Sequence, residues 1–209
     1  MRMSERDARG PEEHEHLLLI GDAVSAMTSG LVAHVVAMAH HNAWSNHRLL
    51  SACEALTVEE FAAPRVGFFP SLRATFNHIL WVDQYYIDAV AGLDALRRYS
   101  EPDPDFDDAH SMRVAQVASD RRLIEVCARQ TDESLARDCI LPRPNRQPPP
   151  TRTDFVLAHL FQHQIHHRGQ AHAMLSSTPI KPPQLDEFFL AGEEELRRDE
   201  LRALGLPLR

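Results

Sequence analysis

The chain has 209 residues, enough for one domain with a sizeable core. Apolar residues make up 44% and charged residues 25%, proportions that fit a globular fold rather than a disordered chain. A net charge of -8 with histidine neutral argues against a nucleic-acid partner, which needs a clustered basic face, and against an anionic membrane surface.

Residues 1–28 read as a polar N-terminal extension, disordered in part, ahead of a folded domain over 29–209. The charged start and the acidic residues around His14 and His16 do not suit a signal peptide. No apolar run approaches the ~18 residues of a membrane span, so no membrane association and a cytoplasmic location are expected. A long helix follows from about Leu31 to Ala55, without Pro or Gly and with Leu31, Val35, Met38, Leu49 and Leu50 at helical spacings. Thr57 to Glu60 predicts a capped turn, and Pro64, Gly67 and Pro70 mark a loop.

A second helix starts at Pro70–Ser71 and runs to about Ala95, with Leu72, Phe76, Ile79, Ile87 and Val90 on one face. The acidic, proline-containing stretch from Glu101 to Asp108 is a loop. The spacing of Val114, Val117, Leu123, Val126 and Cys127 predicts a third helix from about Ser111 to Thr131. Arg137 to Leu141 reads as a short extended piece, and the prolines between Pro142 and Pro150 as a rigid connector. A fourth helix begins at Thr153–Asp154 and ends near Ser176, stopped by Pro179, Pro182 and Pro183; a short terminal helix covers about Gly192 to Leu204. The expected fold is all-α, a four-helix bundle with a short C-terminal helix, and such bundles build metal sites between facing helices. Cys53, Cys127 and Cys139 form neither a disulfide framework nor a C-x-x-C pattern and read as buried reduced thiols.

Thirteen histidines stand against 22 Lys plus Arg, and some are arranged. In Phe161-Gln-His163-Gln-Ile-His166-His167-Arg-Gly169-Gln170, His163 and His167 are four apart, one turn above each other on one helix face. They share that face with Val156, Leu160, Gln170 and Met174, so it turns inward. Two inward imidazoles need polar partners. A metal ion supplies them, and so do hydrogen bonds within a core; the pair alone leaves both readings open. Gln164 stands where an H-E-x-x-H protease carries its glutamate, so that mechanism is unsupported. His78, at the edge of the second helix's apolar stripe, is the best third ligand, although a lone histidine there is also compatible with a structural role. His159, His166 and His172 fall on the shoulder or on another face of the fourth helix, and His40, His41 and His47 border the site at most.

Phe69-Pro-Ser-Leu-Arg-Ala-Thr-Phe-Asn-His78-Ile-Leu, followed by His163-x-x-x-His167-Arg-Gly-Gln170, resembles the DinB/YfiT-like superfamily of metal-dependent proteins. Asn42-Ala-Trp44-Ser-Asn46-His-Arg-Leu and Leu185-Asp-Glu-Phe-Phe-Leu are similar to further pieces of it, in consistent order from about Leu31 to Leu206. The resemblance implies an up-down-down-up four-helix bundle with a long crossover and a three-histidine site, matched here by His78, His163 and His167. It also implies a homodimer. Some relatives are thiol S-transferases that use a low-molecular-weight thiol (mycothiol, bacillithiol or glutathione) on a small-molecule substrate, and a related branch includes a thiol-dependent maleylpyruvate isomerase.

Three neutral imidazoles leave coordination positions open, as in catalytic zinc sites. A coordinated thiol would lose its proton, and the thiolate is the nucleophile. Zinc or nickel is the first expectation for the one divalent ion, with iron, copper or manganese compatible with the same ligands. The open alternatives are a metal-dependent hydrolase and a non-enzymatic protein whose metal is structural. Asp83, inside the second helix's stripe, is a candidate to orient a ligand, or else a buried link to another helix. Gln170 shares the ligand face, and Trp44 and Tyr85 are candidates to line a pocket. Arg168 and Gly169 are expected to serve packing, since glycine within a helix costs ~1 kcal/mol against alanine and usually has a close-contact reason. No residue stands out as a general base.

Overall fold

The computed structural model describes residues 29–102 and 104–207. The chain is all-α. Four long helices dominate: α1 (Gly30–Cys53), α3 (Leu72–Val90), α5 (Ala109–Ala128) and α7 (Thr153–Leu175). Between and after them lie α2 (Val58–Ala62), α4 (Ala95–Ser100), α6 (Asp132–Ala136) and α8 (Glu194–Leu204), with β1 (Asp138–Cys139) and β2 (Thr151–Arg152) before α7. Helix α1 packs on α5 and α7, and α3 packs on the same two. Each long helix therefore buries its apolar stripe against two neighbours.

Local chemistry sets the boundaries. The side chains of Ser29, Ser71 and Asp108 accept from backbone N–H groups in the first turns of α1, α3 and α5, satisfying donors that a helix start leaves orphaned. The turn expected at Thr57 is a full capping box: Glu60 N–H donates to Thr57 and Thr57 N–H to the Glu60 carboxylate. The second long helix is shorter than its sequence suggests. It ends at Val90, Gly92 follows at φ 70°, and Asp94 caps a separate α4; a left-handed glycine ends a helix cheaply. The third likewise stops at Ala128, because Thr131 starts α6 with its own capping box. The extended piece near Arg137 is real but short: Asp138 pairs with Arg152 and Cys139 with Thr151, antiparallel.

The apolar core has two main parts. One gathers Val35, Tyr85, Leu123, Leu157 and Leu160; the other Leu49, Phe61, Phe76, Met112 and Leu175. Along each long helix a buried polar residue marks the level where one part gives way to the other: Asn42 and Asn46 on α1, Asp83 on α3, Gln116 and Asp120 on α5, Gln164 and Arg168 on α7. The three cysteines are free and buried, and burial pushes the thiols of Cys53 and Cys127 up to about 12. No helix among the described residues is long and apolar enough to cross a membrane.

Candidate metal centre

Helix α7 carries Val156, Leu160, Ala171 and Met174 into the core. The same face brings His163 and His167 to the seam with α3, where His78 stands opposite. One nitrogen from each of His78, His163 and His167 lies within 4.8 Å of the others. Nε2 of His78 and Nε2 of His163 are 3.0 Å apart. Ring centroids are 4.4 Å apart for His163 and His167, 4.9 Å for His78 and His167, and 5.0 Å for His78 and His163. Phe69, from the loop before α3, roofs the group, its ring 4.4 Å from that of His78 and 5.5 Å from that of His167. His167 is buried and the other two are half-buried.

The donor set fits a divalent transition metal. Nitrogen ligands at about 2.05 Å in a tetrahedral site lie about 3.3 Å from one another, close to the 3.0 Å between His78 and His163. Burial, then the neighbouring His167 and His78, pushes His163 down to about 3. Burial also holds His167 below the usual imidazole range, against the hydrogen bond to Gln170. The two α7 imidazoles are therefore neutral at ordinary pH, the form that binds metal. Nδ1 of His163 is buried without a hydrogen-bond partner among the described residues. No Cys, Asp or Glu among the described residues joins the group.

Gln170 touches the group directly. Its Oε1 lies 2.9 Å from Nδ1 of His167, and its Nε2 lies 3.1 Å from Nε2 of His166. No hydrogen bond joins Asp83 to any of the three histidines: Gln116 Nε2 donates to it at 2.8 Å, within the polar layer. Arg168 donates from the same layer to Asn42, Asn46 at 3.1 Å and Gln164 at 3.1 Å, while Asn42 and Asn46 donate to Asp120. Trp44 lies elsewhere, packed on Phe188 and donating to Glu200. Tyr85 donates to the Pro142 carbonyl at 2.8 Å and stacks on Trp81. Both aromatics serve packing between segments distant in sequence. His159 stacks on Tyr86 and His172 bonds the Pro183 carbonyl. Phe69 went unrecognised as a roof, because a phenylalanine in a proline-flanked loop carries no sign of what it covers.

A cavity of about 550 Å³ opens beside His78, bounded by Phe69, Ser71, Asn77, Arg73 and Asp105. Of the three histidines it is His78 that lines this cavity, so a small molecule there would sit at the edge of the group. Arg73 spans its edge, paired with Asp105 at 2.5 Å and Asp107 at 2.6 Å.

A family model described as the DinB family matches residues 27–198. The chain belongs to the DinB family. A DinB-like protein from Bacillus cereus, known from its crystal structure, is similar in fold: TM-score 0.53 at 17% identity, covering 69% of this DinB chain and 90% of that one. At that identity the likeness speaks to the fold alone. No curated protein matches the chain.

Proposed function

We propose that this DinB-family protein holds one divalent transition metal ion, zinc or nickel first, on His78, His163 and His167, and that the centre serves a metal-dependent thiol S-transferase acting on a small molecule. The carrying observation is the convergence of three imidazoles with no fourth protein ligand among the described residues. Structural zinc sites are usually closed by four protein ligands, whereas catalytic ones keep a position open. The cavity beside His78 favours the same reading, because a purely structural metal needs no adjoining space. A Lewis-acidic ion there would lower the pKa of a thiol or water that reached it.

The chain's own groups supply the rest. Gln170 fixes the His167 tautomer, Phe69 shields one side from solvent, and the Arg73 edge selects what enters. In the transfer, the S–H bond of the thiol breaks, an S–C bond to the electrophile forms, and the proton leaves with the displaced group. The packing of α1, α3, α5 and α7 supports the four-helix-bundle reading, and the homodimer stays part of the same proposal.

Elemental analysis of untagged protein purified without chelator tests the metal centre. The expected result is about one equivalent of transition metal per chain, lost in His167→Ala. Protein that carries none, and takes up neither zinc nor nickel, removes the centre. Metal-dependent consumption of a low-molecular-weight thiol in the presence of small electrophiles, absent in His167→Ala, tests the transfer. Metal without such consumption favours the structural or hydrolytic alternatives.

A further inference from the structure

Gly169 lies well inside the 23-residue helix α7, yet a Cβ at this position would meet nothing within 4 Å. The close neighbour expected for a glycine that weakens its helix is therefore not supplied by the described residues. The glycine opens instead onto a second cavity, of about 510 Å³, formed by α1, α7 and the segment 184–189. That volume is in the range of small-molecule sites. Residues 165, 168, 169 and 172 of α7 face it, on the side of the helix turned away from His163 and His167. It is thus independent of the metal centre.

The walls define the chemistry. Ile165, Leu185 and Phe189 present apolar surface, and Ile165 and Phe189 are exposed. Of the polar side chains around them, His41, Ser45, His172 and Arg168 are held by the protein itself. His41 Nε2 sits 2.9 Å from the Leu185 carbonyl and 3.1 Å from Ser45, and His172 Nε2 sits 3.0 Å from the Pro183 carbonyl. Arg168 directs its guanidinium inward to Asn42, Asn46 and Gln164. Asp186 adds a carboxylate to the lining, which disfavours anions. Aromatic surface is already assembled there: the His41 ring lies 5.2 Å from Phe189 and 5.6 Å from Phe188. A flat ring can approach the bare backbone of a glycine closely, where any larger residue would hold it off.

We propose that this cavity binds a neutral, aromatic small molecule lying over the backbone of Gly169 and against Phe189. The concave shape suits a compact ring better than the surface of a second copy of the chain, and the carboxylate with inward-turned Arg168 suits an uncharged one.

The test uses the neutral probe N-phenyl-1-naphthylamine, whose fluorescence rises in apolar surroundings, titrated into the full chain. Binding should be saturable. Gly169→Leu, which fills the cavity from open space, should weaken it about tenfold or more, and Gly169→Ala, whose single methyl projects into the same space, should weaken it by less. Phe189→Ala, on the opposite wall, should also weaken it and decides the matter if Gly169→Leu does not fold by circular dichroism. Leu196→Ala, an exposed apolar residue outside the cavity, should leave binding unchanged. Absent binding, binding indifferent to Gly169→Leu and Phe189→Ala, or equal loss in Leu196→Ala overturns the proposal. So does a Gly169→Leu protein whose sedimentation shifts from dimer to monomer with probe binding intact, because the face is then an interface between copies.

Discussion

Gln170 reaches back one turn of α7 and sets its Oε1 2.9 Å from Nδ1 of His167. With a carbonyl oxygen facing it, Nδ1 carries the proton, which leaves the lone pair on Nε2, the nitrogen that faces away from the amide. The tautomer of a ligand histidine is commonly fixed in this way by the partner of its other nitrogen.

Replacing Gln170 by Ala should therefore weaken metal binding roughly 10–100-fold without abolishing it, as read by competition against a chromophoric chelator. Gln170→Glu retains an acceptor and should restore much of the affinity. Affinity unchanged in Gln170→Ala would show that the contact does not orient a ligand.

Acid should unfold the metal-free protein early. His163 is pushed down to about 3 in the folded state and takes a proton near the ordinary histidine value, about 6.5, when unfolded. Between those values the unfolded chain binds the extra proton, so stability falls as pH is lowered through that window and is unaffected above it. His167, also lowered, acts in the same direction. Thermal melts of metal-free protein from pH 8 down to pH 5 should show this loss, and His163→Gln should show less of it. A His163→Gln protein with undiminished acid sensitivity would place the proton uptake elsewhere.

The convergence of His163 and His167 was legible because their i, i+4 spacing survives any detail of packing, and Gln170 falls on the same face by the same periodicity. His78 gained meaning only with them. The positions of Trp44 and Tyr85 were not legible, since a helical wheel says which face is apolar but not which neighbour covers it; Trp44 met α8 and Tyr85 met the proline-rich connector. The polar layer was invisible for a stronger reason. Asn42, Asp83, Asp120 and Arg168 sit on four different helices, and only their packing makes one network of them. The short helices α4 and α6 were not legible, because runs of six and five residues are too brief to show an apolar period and only their capping residues mark them.

Among the described residues Arg168 is the only guanidinium in that layer, opposing Asp120 and Asp83. Arg168→Ala leaves the buried amide oxygens of Asn42, Asn46 and Gln164 without their donor and removes the cation that faces the carboxylates, a change that costs about 1–3 kcal/mol. Urea denaturation should show a loss of that order. Pairing it with Asp120→Asn should recover part of the loss, since the orphaned charge is then removed. Strict additivity of the two changes would mean that the groups do not interact.

Asp83 should be a protonated acid at neutral pH. It is fully buried, and burial, then the nearby Asp120 carboxylate, raises it to about 8. Asp120 is raised less, to about 6, because Gln116, Asn46 and Asn42 donate to it and Arg168 stands beside it. Of the pair, Asp120 takes the charge and Asp83 keeps the proton, as two close carboxylates do when their surroundings differ. A folded-state value above the unfolded one, about 3.9, means stability is undiminished below pH 4 and declines as pH rises toward 8, with a limiting slope of about 1.4 kcal/mol per pH unit. Asp83→Asn mimics the protonated acid and has no such decline. Its stability relative to the parent should rise steadily from pH 5 to pH 8 in chemical denaturation of the metal-free protein. If the difference instead stays flat from pH 5 to pH 8, Asp83 is ionised in the fold throughout that range, and the charge assignment within the polar layer is reversed.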